Sequence, residues 1–335
     1  MATRQLPNWL DAYDKYTSNS ESPESYHQWC GVSTIASALQ RKCVLNLGIG
    51  AEFYPNLYVV LVGPTACGKG TAMSFAARLQ KEVKTIHTAS NATSLPALIR
   101  TMKKIDIPII DEEAGTMAFH ASLTIFSTEL TVFIGQKESK LLSHLCDWFD
   151  CLERWEYDTI SRDKEVIHGV WVNLLGATTP ENIVAALPPE AIAGGLTSRI
   201  IFVVERKRKQ LVVFPTRTPE QAQLEKDLIE DLRTIHEMSG EFKWADEAAA
   251  GAYADFAVES DQNPPFVGDS AFQHYAGRRR NHLLSTALCM SAARSSEMRI
   301  SVDDLQRAIS LLISTEKRMN QAFRGLGSPY AIDAG

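Results

Sequence analysis

The stretch LYVVLVGPTACGKGT, residues 57–71, decides the fold of this chain. Its apolar, valine-rich run ends at Gly63, which predicts a buried strand followed by a tight turn. Gly68 and Lys69 come next, and helix-forming residues run from 72 to 80. A strand, a glycine-rich turn and a helix in this order let backbone N–H groups and a lysine surround phosphate oxygens. The predicted phosphate-binding residues, called here the phosphate loop, are Gly63, Pro64, Thr65, Ala66, Cys67, Gly68, Lys69, Gly70 and Thr71.

One position of the phosphate loop departs from the usual pattern. Gly70 stands where a Ser or Thr normally supplies a hydroxyl to Mg²⁺, and a hydroxyl returns at Thr71. We therefore predict that Thr71 contacts Mg²⁺, directly or through a water molecule. The Gly-Lys-Gly-Thr form resembles that of nucleoside monophosphate kinases. ATP and Mg²⁺ are the expected ligands.

Two apolar runs end in acidic residues of the kind that activate water for hydrolysis. The run IPIIDE, residues 107–112, ends in Asp111 and Glu112, and LTIFSTE, residues 123–129, ends in Glu129. Only one of these runs is expected to lie beside the phosphate-loop strand. We predict that Glu129 is the catalytic carboxylate, and Asp111 and Glu112 remain the alternative residues at the nucleotide.

The order of the surrounding elements is what favours Glu129. Residues 112–115 have the composition of a turn, which predicts a hairpin between 107–111 and 116–120. The second run is instead followed by a helical pattern over about 138–151, and the fold requires a strand followed by a helix at this point.

The composition sets limits on the class of protein. The 335 residues are 45% apolar and 22% charged, which supports a substantial core. A net charge of −6 and a pI near 5.8 give no overall signature of nucleic-acid binding. Six cysteines form no CxxC pair, and a disulfide at Cys67 would obstruct the phosphate loop, so a reduced, intracellular protein is expected. No apolar run approaches the ~20 residues that span a bilayer, so no membrane contact is expected.

The patterning along the chain predicts an α/β fold with a parallel-sheet core of the P-loop NTPase type. We predict an N-terminal helical segment over residues 1–50 and an ATPase core over 51–214. An all-helical C-terminal lid domain is expected over 215–326, followed by a tail over 327–335.

A third strand of the predicted core carries hydroxyl groups at its end. The apolar run VWVNLLG, residues 170–176, leads to Thr178 and Thr179. A hydroxyl at this edge is suited to contact the γ-phosphate, a position called a sensor. Thr178 is the first candidate, and Thr179 and the mid-strand Asn173 are the alternatives.

Basic residues precede and follow this strand. Two short extended runs around a polar turn predict a β-hairpin over about 153–168. The basic residues of this hairpin are Arg154, Arg162 and Lys164. The basic run RKRK, residues 206–209, is either a DNA contact or a solvated surface.

Arginines near the end of the core are candidates for stabilising the negative charge on the phosphoryl group during its transfer. Arg199 lies at a strand edge beside small residues, which suits an arginine finger that acts across a subunit boundary. Its alternative is an ion pair within the chain. Among residues 278–280, all arginines, one is a candidate second sensor, with exposure to solvent as the alternative for each.

These features together resemble the AAA+ ATPases that carry a hairpin ahead of the sensor strand. That group includes superfamily 3 viral helicases and minichromosome-maintenance helicases, and this chain is most similar to phage and prophage replication helicases related to primase–helicase ATPase modules. The resemblance covers roughly residues 24–323, and its phrases are YPNLY at 54–58, SLTIFSTEL at 122–130, CDWFD at 146–150 and GGLTSR at 194–199.

The resemblance implies an ATP-driven helicase or translocase in DNA replication of a phage or other mobile element. Such proteins form ring hexamers, bind ATP between subunits and pull single-stranded DNA through the pore. The resemblance also implies that Arg154, Arg162 and Lys164 of the hairpin contact the backbone of single-stranded DNA. A separate primase or loader is an implied partner, because no primase motif is evident. The implied location is the cytoplasm of a bacterial host.

Two other functions remain open on the sequence. Gly-Lys-Gly-Thr is compatible with a nucleotide kinase, although the hairpin and the long C-terminal part argue against one. A nucleotide switch, such as a helicase loader that does not unwind DNA, is favoured by Ser127 and Thr128, which stand where a magnesium-binding aspartate is usual.

Overall fold

The computed structural model describes residues 4–89, 94–111, 115–135, 139–159, 162–187, 195–214 and 216–323. The chain has an α/β fold, with eleven α-helices and eleven strands in these ranges. The helices are α1 Trp9–Thr17, α2 Glu24–Leu39, α3 Lys69–Lys81, α4 Leu95–Lys104, α5 Leu130–Ile134, α6 Ser139–Phe149, α7 Pro180–Ala186, α8 Pro219–Glu237, α9 Glu247–Gln262, α10 Tyr275–Arg294 and α11 Val302–Met319. The strands are β1 Cys43–Asn46, β2 Glu52–Phe53, β3 Tyr58–Val62, β4 Ile107–Asp111, β5 Thr116–Ser127, β6 Arg154–Thr159, β7 Arg162–His168, β8 Val170–Thr178, β9 Ile200–Val204, β10 Gly240–Trp244 and β11 Arg299–Ile300.

The central sheet has five strands in the order β4-β5-β8-β3-β9. Strands β5, β8, β3 and β9 are parallel, and β4 pairs antiparallel with β5 at one edge. The predicted hairpin of 107–111 with 116–120 is therefore confirmed. The sheet differs from the expectation in one respect, because β8 lies between the phosphate-loop strand β3 and the acidic strand β5.

Both faces of the central sheet are covered, which is why its parallel strands are apolar throughout. Side chains of β3 alternate between the two faces: Val59 and Leu61 pack on one side, and Tyr58 and Val60 on the other. The first face packs against helices from both ends of the chain, including α2, α3, α8 and α10. The second face packs against α4, α5 and α6. The core is thus a three-layer arrangement of helices around a sheet.

The C-terminal part is not all-helical, which corrects the prediction for residues 215–326. Strand β10 pairs in parallel with β1 and with β11, and β2 completes a second sheet of four strands. Its sequence EFKW, residues 241–244, alternates polar and apolar side chains, and Phe242 is fully buried. The second sheet also joins the segments predicted as separate, because β1 belongs to residues 1–50 and β10 to the predicted lid.

Side-chain contacts tie the same two segments together. Indole Nε1 of Trp9 donates to the carbonyl oxygen of Leu228 at 2.9 Å, and Nε1 of Trp29 donates to Oγ1 of Thr315 at 2.8 Å. Both tryptophans are fully buried. In the described ranges, no helix combines the length and the apolar character needed to cross a bilayer.

Three buried histidines make the stability of this fold depend on pH. Burial lowers the pKa of His27 and His282 to about 4 and that of His120 to about 3. An unfolded histidine titrates near pH 6.5, so the unfolded chain binds protons first. The stability contributed by these neutral histidines is therefore complete above pH 6.5 and is lost as the pH falls below it. We expect the free energy of unfolding to drop by roughly 1.4 kcal/mol per pH unit for each histidine below pH 6.

Urea unfolding at pH 7.5, 6.0 and 5.0 measures this dependence. A His282→Gln variant should show a shallower loss of stability at acid pH than the unaltered protein. The matched control is His168→Gln, because His168 is exposed. Equal stability at pH 7.5 and 5.0 would contradict the prediction.

Candidate functional site

Three strands of the central sheet bring their carboxyl ends to one edge. Gly63 follows β3, and its N–H donates to the carbonyl oxygen of Thr178, the last residue of β8, at 3.3 Å. The β5–β8 pairing places Ser127 opposite Gly176, so Glu129 and Thr178 each stand two residues beyond a paired position. The phosphate loop, the sensor candidate and the preferred acidic residue therefore share the same edge of the sheet.

The backbone of the phosphate loop explains two of its glycines. Gly68 has φ of +90°, a conformation that L side chains rarely adopt, and a Cβ there would lie 2.8 Å from Oγ of Ser22. A Cβ on Gly63 would lie 2.5 Å from the hydroxyl oxygen of Tyr26. Both positions require glycine because the N-terminal segment packs directly against the loop. Gly70 has open space instead, so no contact in the described residues requires glycine there.

The N-terminal segment also holds the loop through hydrogen bonds that the sequence did not reveal. The Tyr26 hydroxyl donates to the carbonyl oxygen of Val62 at 2.7 Å and lies 3.8 Å from Sγ of Cys67. The Ser22 hydroxyl donates to the carbonyl oxygen of Gly68 at 2.7 Å. The start of α2 thus positions both ends of the loop.

Lys69 directs its charge into the phosphate loop. Its Nζ donates to the carbonyl oxygens of Gly63 at 2.5 Å and Pro64 at 2.8 Å. Burial lowers the pKa of Lys69 below its usual value, and the nearby Cys67 and the carboxylates of Glu129 and Glu181 act in the opposite direction. Two carboxylates therefore lie within electrostatic range of the lysine. The ammonium group and the start of α3 therefore place positive charge at the loop, an environment that favours an anion.

The second of these carboxylates, Glu181, was missed in the sequence. It lies in the first turn of α7, which follows β8 directly. Its own backbone N–H and the Thr179 hydroxyl bond to the carboxylate, and these bonds, with a smaller contribution from Lys69, lower the pKa of Glu181. The sequence did carry a signal for this residue, because Glu181 is acidic and lies in the first turn of a helix that begins where a parallel strand ends.

The hydroxyls at the end of β8 have different partners. Thr178 is buried, and its Oγ1 donates to the carbonyl oxygen of Thr179 at 3.4 Å. Thr179 caps α7, because its Oγ1 accepts the N–H of Asn182 at 3.3 Å. Asn173 contributes no group to this edge. Its amide is fully engaged with the backbone N–H of Leu57 and with side-chain and backbone oxygens of α2.

The residues that would contact Mg²⁺ are few. Thr71 lines a cavity beside the start of α3, Glu129 is exposed after β5, and Ser127 is buried. Among the residues described, no group of three His, Cys, Asp or Glu side chains is arranged to hold a metal ion. This donor set fits an ion that is held mainly by phosphate oxygens and water, as Mg²⁺ commonly is.

The register of the edge strand corrects the alternative assignment of Asp111. In the antiparallel β4–β5 pair, the backbone of Asp111 lies opposite Thr116, the first residue of β5. The end of β5, which leads to Glu129, lies roughly 35 Å along the strand at about 3.3 Å per residue. Asp111 therefore lies at the end of the sheet opposite the phosphate loop. Glu112, the other alternative, lies outside the described residues.

Arg199 also lies at the end of the sheet opposite its own phosphate loop. It directly precedes β9, whose first residue, Ile200, pairs with Tyr58 at the start of β3. Its guanidinium forms an ion pair with Asp150, with an Nη2–Oδ2 distance of 2.7 Å, and Nη1 donates to the carbonyl oxygen of Gly195 at 3.1 Å. Arg199 therefore has the intrachain partner that was the alternative interpretation.

The hairpin expected over 153–168 is present as the antiparallel pair β6–β7. Two of its predicted DNA-binding residues share one acidic partner. Arg154 forms an ion pair with Glu156 at 2.7 Å, and Lys164 pairs with the same carboxylate at 2.5 Å. Arg162 begins β7, and its side chain lies outside the described part of the structure. The charge that the described hairpin side chains present is thus partly neutralised.

Other basic candidates have partners within the chain. In the run at 206–209, Arg208 pairs with Glu21 at 3.4 Å and Lys209 with Glu24 at 2.6 Å. These ion pairs favour the solvated-surface interpretation of the run.

The three consecutive arginines of α10 are also engaged. Arg278 pairs with Asp150 at 2.9 Å, Arg279 forms a buried pair with Glu316, and Arg280 bonds to Tyr253. None of the three has its observed partner at the phosphate loop, so the second-sensor assignment has no support among these contacts.

No protein-family model matches the chain, and no curated protein matches it at a significant level.

Proposed function

We propose that this chain is an ATP-dependent DNA helicase or translocase that acts as a ring oligomer, as its resemblance to AAA+ replication helicases implies. The observation that carries the proposal is the common sheet edge at which the phosphate loop, Thr178 and Glu129 meet. This is the edge at which ligands bind in open α/β sheets. The glycine-rich loop and Lys69 favour the phosphates of a nucleotide over other ligands.

Each residue at the edge has a distinct role in the proposed reaction. Lys69 leaves its loop carbonyls to neutralise charge on the phosphates, and the loop N–H groups orient them. Glu129 polarises the attacking water. Its side chain makes no capping hydrogen bond to α5, so the carboxylate is available for this chemistry. Thr178 orients the γ-phosphate at the end of β8. Thr71 would hold Mg²⁺, directly or through a water molecule, and the ion would supply Lewis-acid stabilisation of the charge that develops on the phosphates.

Assembly supplies the group that one chain lacks. Arg199 stands at the opposite end of the sheet from its own loop, and this position supports the proposal that it acts on a nucleotide bound by a neighbouring subunit. Such an arginine is worth about 10³-fold or more in phosphoryl transfer. In the proposed ring, the neighbour's phosphates compete with Asp150 for this guanidinium. The β6–β7 hairpin contacts the backbone of single-stranded DNA, with Arg154, Arg162 and Lys164 as the proposed contacts.

Removal of the lysine charge tests the proposal. We expect Lys69→Ala to lower the rate of ATP hydrolysis at least ~100-fold, because a preorganised charge on the phosphates is lost. Lys81→Ala, an exposed lysine at the other end of the same helix, is the matched control and should change the rate less than twofold. Hydrolysis is measured with and without single-stranded DNA, and particle mass is measured by light scattering with ATP and DNA.

Three outcomes would overturn parts of the proposal. Equal rates in the two lysine variants would remove the phosphate loop from catalysis. Hydrolysis that single-stranded DNA does not stimulate, on a particle that stays monomeric, would remove the motor function. Transfer of phosphate from ATP to a nucleoside monophosphate would indicate the kinase instead.

A nucleotide switch is the second candidate function. It is favoured because Ser127 and Thr128 replace the usual acidic residue before Glu129, and Ser127 is buried. A switch predicts ATP-dependent assembly without unwinding, and it predicts little effect of Glu129→Gln.

A further inference from the structure

Helix α2 connects the phosphate loop with the base of the β6–β7 hairpin. Its start holds the loop, because the Tyr26 hydroxyl donates to the carbonyl oxygen of Val62 and the Ser22 hydroxyl, just before the helix, donates to that of Gly68. The 16 residues of α2 span about 24 Å at ~1.5 Å per residue, and most of them are buried. An enclosed helix is a stiff element, so its two ends are expected to move together.

Arg41 lies two residues beyond the end of α2 and bonds to both ends of the hairpin. Its side chain is 7% exposed. Nη1 donates to the carbonyl oxygen of Cys151 and, at 3.4 Å, to that of Val170. Cys151 precedes β6, and Val170 follows β7 as the first residue of β8. One guanidinium group therefore closes the base of the hairpin.

Other contacts fix Arg41 in this position. Its backbone N–H donates to Oγ of Ser122 on β5 at 3.2 Å, and its guanidinium lies over the Tyr54 ring, 4.4 Å from the ring centre. Within the described ranges, no carboxylate pairs with this arginine. Carbonyl dipoles and an aromatic face therefore balance its charge, and its side chain serves the hairpin rather than an ion pair.

The backbone is strained on both sides of this contact. Gln40, which ends α2, has φ of +58°, and Cys151, at the base of the hairpin, has φ of +52°. Residues other than glycine rarely adopt this region, and such strain persists only where the surrounding contacts impose it. Strained residues are concentrated at functional sites and switch regions. The junction between α2 and the hairpin is therefore a constrained position in the fold.

We propose that Arg41 is a positioning residue that transmits the state of the phosphate loop to the hairpin through α2, an inference that rests on the proposed function. A nucleotide in the loop alters the contacts of the loop backbone with Ser22 and Tyr26. The helix carries this change to Arg41, which sets the position of the hairpin and therefore its contact with single-stranded DNA. Nucleotide and DNA should then change each other's affinity by the same factor, because coupling between two sites is reciprocal.

Binding of a fluorescein-labelled oligothymidylate to the full chain, with and without Mg–adenylyl imidodiphosphate, measures this coupling factor. We expect the ATP analogue to change the DNA affinity of the unaltered protein at least about fivefold, the lower end of the range for coupled sites. In Arg41→Gln the factor should fall below about twofold, because the shorter, uncharged side chain does not hold both carbonyl oxygens. Its affinity for the analogue without DNA should be unchanged, since Arg41 lies at the end of the sheet opposite the loop.

Two further variants separate transmission from a general loosening of the hairpin. Lys103→Gln is the matched control, because Lys103 pairs with Glu165 and ties β7 to α4 without involving α2. It should keep the coupling factor of the unaltered protein. Arg41→Lys restores the positive charge and should recover part of the coupling.

Hydrogen exchange in the unaltered protein covers the case in which Arg41→Gln does not fold. The N–H groups of Gly169 and Val170 bond to the carbonyl oxygens of Glu153 and Leu152 at 2.7 and 3.1 Å, across the base of the hairpin. The ATP analogue should slow exchange at these two amides at least about twofold. Unchanged exchange there would overturn the inference.

The binding results can also overturn it. A coupling factor near one in the unaltered protein, full coupling in Arg41→Gln, or an equal loss in Lys103→Gln would each do so. In those cases nucleotide and DNA still bind, and the proposed function stands. Failure of the unaltered protein to bind the analogue would overturn the proposed function and this inference together.

Discussion

A Glu129→Gln variant should lose at least ~100-fold in the turnover rate of ATP hydrolysis and should still bind ATP. The amide keeps the size of the side chain but cannot accept a proton, and positioned bases contribute about 10²–10⁴-fold. Glu129 is exposed and makes no capping hydrogen bond to α5, so the substitution should leave the fold intact. Steady-state hydrolysis gives the turnover rate, and calorimetry gives the affinity for Mg–ATP.

Asp111→Asn is the discriminating control for this experiment. The register of β4 places residue 111 at the sheet edge away from the loop, so its rate should stay within twofold of the unaltered protein. A large loss in Asp111→Asn together with a normal rate in Glu129→Gln would reverse the assignment. Normal rates in both, with ATP-dependent assembly, would favour the nucleotide switch.

A Glu316→Gln variant should lower the free energy of unfolding by about 3–5 kcal/mol, which is the largest stability effect expected here. Arg279 and Glu316 are both 7% exposed, and the guanidinium bonds to both carboxylate oxygens, at 2.8 and 2.7 Å. The same carboxylate accepts the Tyr275 hydroxyl at 3.1 Å. Removal of the negative charge leaves the arginine buried without a counter-ion, and that uncompensated charge is the source of the cost.

Urea unfolding of the unaltered protein and of three variants tests this explanation. The double variant Arg279→Met/Glu316→Met should be more stable than Glu316→Gln, because it leaves no buried charge. Arg307→Met, which breaks the exposed pair with Asp11, is the control and should cost less than about 1 kcal/mol. A loss in Glu316→Gln as small as the loss in Arg307→Met would show that water reaches the buried pair.

Local patterns predicted the elements of the candidate site well. The phosphate loop is contiguous in sequence, so its strand, turn and helix appear as β3, residues 63–68 and α3. The β4–β5 and β6–β7 hairpins also follow from turn residues between extended runs. Each of these features depends on neighbours within a few residues, and sequence patterns report such neighbours directly.

Features built from distant residues were not predictable in the same way. The position of β8 between β3 and β5 depends on which parallel strands pair, and an apolar strand does not specify its neighbour. The Ser22 and Tyr26 contacts with the loop join residues about forty positions apart, and no local pattern marks them. Strand β10 was overlooked because its short alternating run lies between two strong helices. The bonds of Arg199 to Asp150 and of Arg279 to Glu316 likewise appear only in three dimensions.

The parallel pairing of β1 with β10 has a consequence for how the protein is made. Cys43 pairs with Gly240, so the two partners are 197 positions apart in the chain (240 − 43). A ribosome that adds about 5–20 residues per second needs roughly 10–40 s to deliver the second strand after the first. During that interval the nascent chain exposes the apolar groups that β10 and its helices later cover, so it is prone to aggregation until the second strand has been made.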